Sequence, residues 1–105
     1  MSQFSVYKNK NNRTRKSFPY LLDIQSDLLD QMRTTIVIPL GRHSTFKNQV
    51  ITRLCPVIEI EGEEYVALTP QLASIERHLL GREVTNISEY RNEFIDAIDL
   101  IISGI

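Results

Sequence analysis

Few side chains in this sequence could do covalent or acid–base chemistry. His43 and His78 stand apart, outside any H-E-x-x-H pattern and outside the Cys/His spacings that hold zinc. Cys55 sits between Leu54 and Pro56, an apolar setting in which a thiol is buried and inert. Glu63 and Glu64 adjoin in a turn-like run and read as solvated carboxylates. There is no G-x-S-x-G nucleophile turn, no G-x-x-x-x-G-K phosphate loop and no G-x-G-x-x-G. No catalytic, cofactor or metal site is therefore expected, although an enzyme with scattered residues would leave no motif. The one basic concentration is KNKNNRTRKS, residues 8–17, with Lys8, Lys10, Arg13, Arg15 and Lys16 and no acid. It reads as a solvated loop or hairpin tip, with phosphate contact as the alternative.

The stretch with the most organised surface chemistry is NISEYRNEFIDAIDLIISGI, residues 86–105. At about 100° per residue, Ile87, Tyr90, Phe94, Ala97, Ile98, Ile101 and Ile105 share one stripe, the core-facing side of an amphipathic helix. Asn86 or Ser88 can cap its first N–H groups, and Glu89 suits the positive end of its dipole. Ile95 and Ile102 lie beside that stripe with Asp99 just beyond, forming a second, narrower face. The last turn carries Asp99 and no Lys or Arg, against the usual preference for a cation there. An exposed helix end tolerates this; the sharper reading is that a basic group on a partner supplies the cation.

The elements that must position this helix are short strands. Residues 3–7 alternate apolar and polar with β-branched and aromatic content, which predicts a strand from the very start. Residues 18–25 predict a second, with Pro19 at an edge or bulge. Residues 26–30 predict a turn or single helical turn; Leu28 and Leu29 cannot both face the core, so one is exposed or at an interface. TTIVIPL, residues 34–40, predicts a strand buried on both faces, its pairing limited at the far end by Pro39. Residues 41–52 hold turn and weak helical features. Residues 56–60 and 65–68, around a Gly62 turn, predict a hairpin. Residues 72–75 predict a short strand, and residues 76–84 a connection to the helix with Gly81 at a turn. Many short strands followed by one helix predict a mostly antiparallel, barrel-like sheet with a helix packed across it.

With 105 residues, 42% of them hydrophobic, the chain suits one domain, residues 1–105, with a proper core. A formal net charge of −1 argues against general nucleic-acid or membrane binding. A lone cysteine, no signal-like run and no long apolar stretch point to a soluble cytoplasmic protein.

Several short motifs together resemble the CcdB toxins, the toxin halves of toxin–antitoxin pairs. They are Gln3-Phe4-x-Val6-Tyr7, Asp23-x-Gln25-Ser26-Asp27, Val37-Ile38-Pro39-Leu40, Leu54-x-Pro56, Asn86-Ile87-Ser88 and Ala97-Ile98-Asp99-Leu100 with Gly104-Ile105. Each is weak alone; the ordered set spans the chain. The resemblance implies a mainly β fold with one C-terminal helix, an SH3-like antiparallel barrel with a small wing sheet. It implies a homodimer that binds the A subunit of DNA gyrase and traps the enzyme on cleaved DNA. It also implies a cognate antitoxin whose disordered segment folds on the toxin. The gyrase-binding residues it implies are Asp99, Ile102, Ser103, Gly104 and Ile105, with Leu28 and Leu29 beside them. Ser103 departs from the pattern, because well-known members carry a tryptophan there. Ile102 likewise replaces an aromatic and Asp99 an amide. The smaller Ser103 implies a weaker anchor.

Two other readings share this fold class. A MazF-type endoribonuclease would need a base, an acid and cations over a phosphate, and only Arg13, Arg15, Lys16 and His43 are available for that. A non-toxic dimeric homologue is the third.

Overall fold

This computed structural model describes residues 3–50 and 53–104. Seven strands form one antiparallel sheet: β1 Ser5–Asn9, β2 Tyr20–Asp23, β3 Thr34–Arg42, β4 Val57–Ile60, β5 Glu63–Ala67, β6 Ala73–Glu76 and β7 Leu80–Asn86. A short helix α1, His43–Phe46, follows β3, and α2, Arg91–Ser103, follows β7. The strand order is β4-β5-β3-β2-β1-β7, with β6 also on β3. The sheet forks along β3. Thr34 to Val37 pair with β6, and Leu40 to Arg42 pair with β5. One branch curls into the main body and the other forms the small wing.

Pro39 does not limit pairing as the sequence suggested. It sits opposite Leu21 in the β2–β3 ladder, and its carbonyl accepts from Leu68 on the other edge. Its missing N–H falls at the fork, where β3 changes partner and no ladder bond is lost.

The main core lies on one face of the curl. Val6, Leu22 and Ile38 stand in register across three strands, joined by Leu40, Ile58, Tyr65 and Ala67, and α2 closes it with Phe94. A second cluster of Tyr7, Leu21, Val37 and Leu80 fills the other face. Phe4, Ser5, Val6 and Tyr7 are therefore all buried, and Gln3 is half-buried. Alternation predicts one wet face for a flat sheet; a curled sheet with clusters on both sides covers it.

The largest departure from the sequence reading is β7. Residues 76–84 were expected to be connection, yet Leu80–Asn86 forms a seven-residue strand on β1. Its composition, LGREVTN, hides it, because only Leu80, Val84 and Thr85 are apolar or β-branched, and they do not alternate. Gly81 lies inside this strand and marks no turn. A Cβ there would stand 3.0 Å from the Lys8 carbonyl oxygen, so the close approach of β1 favours glycine.

Candidate interaction site

The helix α2 is anchored at its start and free at its end. Asn86 accepts the Ser88 N–H through Oδ1, and its Nδ2 donates to the Gln3 carbonyl and to Ser5 Oγ. The expected cap thus also ties the helix entry to β1. One 3₁₀ turn, Ser88–Tyr90, precedes the α-helix proper. Phe94 and Ala97 are fully buried, and Phe94 stacks on Phe4 with ring centroids 6.3 Å apart. Tyr90 and Ile98 are half-buried. Ile101, placed on the core stripe by periodicity, is exposed. The stripe continues in sequence, but the last turn has run past the core it would cover.

That overhanging turn holds most of the expected site. Asp99, Ile102, Ser103 and Gly104 are all exposed, Ile102 at 78%. Ser103 Oγ donates to the Asp99 carbonyl at 2.7 Å, satisfying one acceptor at the helix end. Gly104 adopts the left-handed conformation, φ 74°, and its N–H donates to the Leu100 carbonyl. This ends the helix in the way glycine favours. The last turn has no basic residue. Ile105 lies outside the described residues.

Leu28 and Leu29 belong to a different element. They sit on the loop between β2 and β3, on a 3₁₀ turn capped by Ser26, whose Oγ accepts from Leu28 N. Both are exposed, Leu28 at 92% and Leu29 at 45%, where the sequence leads one to expect one of them exposed or at an interface. Met32 joins them at 48%, and the sequence reading passed it over. The chain therefore presents two apolar displays: the exposed end of α2 and the 26–33 loop.

A buried polar group lies beneath that loop. Asp23 Oδ1 accepts from Thr35 Oγ1 at 2.7 Å and from Gln25 N at 3.1 Å. Burial pushes the Asp23 carboxyl above its ordinary value, opposed by the Thr35 and Gln25 hydrogen bonds and the Arg77 charge. A carboxyl raised on folding binds its proton more tightly in the folded than in the unfolded state. Its contribution to stability is therefore greatest below the unfolded value of 3.8 and declines as pH rises through the folded value. Asp23→Asn has no such titration. The melting-temperature advantage of the parent over this variant is expected to grow as pH falls from 7 toward 4. An advantage that shrinks over that range would show that hydrogen bonding outweighs burial at Asp23.

The basic loop is better built than a solvated tip. β1 runs on to Asn9, which is buried and donates through Nδ2 to Thr14 Oγ1 and the Phe18 carbonyl, both at 2.9 Å. Its cations remain exposed. Asn9, Thr14, Phe18, Leu21, Val37 and Ile75 are among the residues lining a cleft of about 210 Å³ beside it. These groups offer hydrogen bonds and apolar surface, not a base or nucleophile. Arg15 lines a neighbouring cleft with Lys8 and Tyr20, while His43 lines another with Glu63 and Glu64 beside the β4–β5 turn. His43 and Arg15 thus line different clefts. Among the described residues no group of His, Cys, Asp and Glu could hold a metal ion, and no helix is long and apolar enough to cross a membrane.

Known structures share this architecture. A mycobacterial endoribonuclease in complex with its cognate antitoxin superposes with a TM-score of 0.76 at 9% identity, covering 98% of this chain and 95% of that one. The Mycobacterium tuberculosis toxin MazF-mt6 gives 0.74 at 10% identity, covering 94% and 96%. At such identity the likeness is one of fold. The sequence itself goes further: residues 3–104 match the family model described as CcdB protein, so the chain belongs to the CcdB family of toxin–antitoxin toxins.

Proposed function

We propose that this toxin binds the A subunit of DNA gyrase and holds the enzyme on cleaved DNA, with no catalysis of its own. The observation that carries the reading is the last turn of α2, which stands clear of the core, exposes Ile102 and Asp99 with no basic residue in that turn, and ends on a left-handed glycine. Such an end suits a partner that brings an apolar pocket and a basic group together. The test is a cleavage assay with purified gyrase and DNA. Toxin-dependent accumulation of the covalent gyrase–DNA complex is expected; its absence at micromolar toxin would sink the reading.

The second reading is an endoribonuclease, favoured by the names of the similar structures. Cations near the cleft would then be essential. Neutralising Arg13, Arg15 and Lys16 together is expected to leave gyrase affinity within about threefold, as for charges at an interface rim. If the triple variant folds but loses toxicity, and the parent cuts RNA, the endoribonuclease reading replaces the first.

The working form is proposed to be a homodimer, since twofold symmetry would present two α2 ends to one target. Light scattering at micromolar concentration is expected to give about twice the 12.1 kDa chain mass. A monomer under those conditions would contradict the two-handed grip. The cognate antitoxin is proposed to cover the toxin with a segment that folds on binding. The antitoxin held by one similar structure supports such a partner.

A further inference from the structure

The 26–33 loop poses a physical problem. It displays Leu28, Leu29 and Met32 to solvent, and none of these three is among the buried core residues. A loop with such side chains would ordinarily lower its free energy by folding them against the body. It is held open by hydrogen bonds to its backbone carbonyls. Arg77, just after β6, donates through Nε to the Met32 carbonyl at 2.6 Å and through Nη2 to the Leu29 carbonyl at 3.1 Å. Its own backbone N–H donates to the Arg33 carbonyl at 2.9 Å. Its Nη1 stands 4.0 Å from Asp23 Oδ2, a carboxylate whose other oxygen is fixed by Thr35 and Gln25. Gln25 Nε2 adds a bond to the Thr34 carbonyl at 3.2 Å and a long one to the Leu29 carbonyl. The Arg77 side chain is only 16% exposed, so this fork works largely away from water.

We propose that Arg77 is a positioning residue that clamps the 26–33 loop and so presets Leu28, Leu29 and Met32 for contact with the toxin's target. The proposal rests on the reading that Leu28 and Leu29 touch gyrase. A guanidinium suits the task because its planar fork reaches two carbonyls at once with its geometry already set. Both carbonyls belong to the loop that carries the apolar side chains, so a single side chain fixes the loop's middle and its finish. Asp23 orients the fork from behind and balances its charge. A preset loop binds more tightly than a mobile one because less freedom is lost on docking.

Three proteins test this: Arg77→Lys, Arg77→Met and Leu28→Ser. Lysine keeps a charge near Asp23 and leaves the fold intact, but a single ammonium cannot reproduce the fork. Methionine removes the charge and keeps most of the stem. Amide hydrogen exchange is read at Leu29, Asp30 and Met32, whose N–H groups bond within the loop. Binding to the purified A subunit of gyrase is measured alongside. Arg77→Lys is expected to speed exchange at those three amides at least tenfold, leave β1, β2 and β3 amides at parental rates, and weaken gyrase binding about tenfold, as expected when preorganisation is lost. Arg77→Met is expected to do the same or more. If Leu28→Ser weakens binding but both Arg77 variants keep parental exchange, or bind like the parent, the clamp is overturned and the contact reading survives. If Leu28→Ser binds gyrase like the parent, the contact reading fails and the positioning role fails with it.

Discussion

Removing residues 103–105 is expected to abolish trapping of gyrase while lowering the melting temperature by only about 4–8 °C. The structural reason is that the last turn of α2 has already left the core. Ile101, Ile102, Ser103 and Gly104 are exposed, and the buried anchors of the helix, Phe94 and Ala97, lie one to two turns earlier. The truncation costs the fold the Ser103–Asp99 hydrogen bond and the Gly104 cap, together about 1–2 kcal/mol at an exposed end. What a partner loses is larger. An isoleucine buried in a complex contributes about 1.5–3 kcal/mol, or roughly ten- to a hundredfold in affinity. Gly104→Arg separates the same two quantities in another way. Among the described residues, and its chain neighbours aside, no atom lies within 4 Å of a Cβ built there, so the body offers no clash. The positive φ costs about 1 kcal/mol for a residue with a side chain. The variant should therefore fold and still fail to bind, because a long cation stands where another backbone must approach. A truncated protein that traps gyrase with parental potency would move the binding surface to the 26–33 loop.

The helix, the hairpin and the buried strand β3 could be read from the sequence because each carries a strong local signal. Periodicity of 3.6 marks α2, an uninterrupted β-branched run marks β3, and a polar turn between two apolar runs marks β4 and β5. β7 was illegible because its residues are ordinary strand formers only in the company of β1. Its ladder is tertiary information, and Gly81 reads as a turn until the Lys8 carbonyl is seen beside it. The candidate site divides along the same line. Ile102 and Asp99 follow from helical geometry alone, as a face that periodicity leaves off the core. The paired leucines were legible as a problem, but the placement of Ile101 was wrong because periodicity gives direction and not where the core ends. Arg77 could not have been found. It stands 45 or more residues from the carbonyls its side chain binds, in a segment with no periodic signal, and only the fork of the sheet at β3 brings β6 beside the loop.

Phe94→Ala should have the largest effect on the fold of any single change in α2, and through the fold on function. The Phe94 ring is fully buried, packed at the centre of the main core with Val6, Leu22 and Ile38, and stacked on Phe4. Phe4 is itself held at φ 68°, a left-handed conformation that costs a bulky residue about 1–3 kcal/mol. Two backbone bonds fix it there: its N–H donates to the Asp23 carbonyl, and its carbonyl accepts from Ile87 N at the helix entry. The stacked rings and those bonds support one another, so removing Phe94 leaves both a cavity and a less compensated Phe4. Emptying a buried phenylalanine site costs about 3–5 kcal/mol. At about 4 °C or more per kcal/mol for a domain near this size, the melting temperature should fall by at least about 12 °C. Ile102→Ala supplies the contrast, since its side chain is exposed and its stability change should stay within about 0.5 kcal/mol. Thermal melts of the two variants, with gyrase trapping measured well below both transitions, divide anchoring from contact. Phe94→Ala should recover some trapping on cooling, as the population with α2 docked returns; Ile102→Ala should stay folded and impaired at every temperature. A Phe94→Ala protein that melts within a few degrees of the parent would mean that the helix end is not held in place from this core. The overhanging turn would then need a different support, such as the second copy in a dimer.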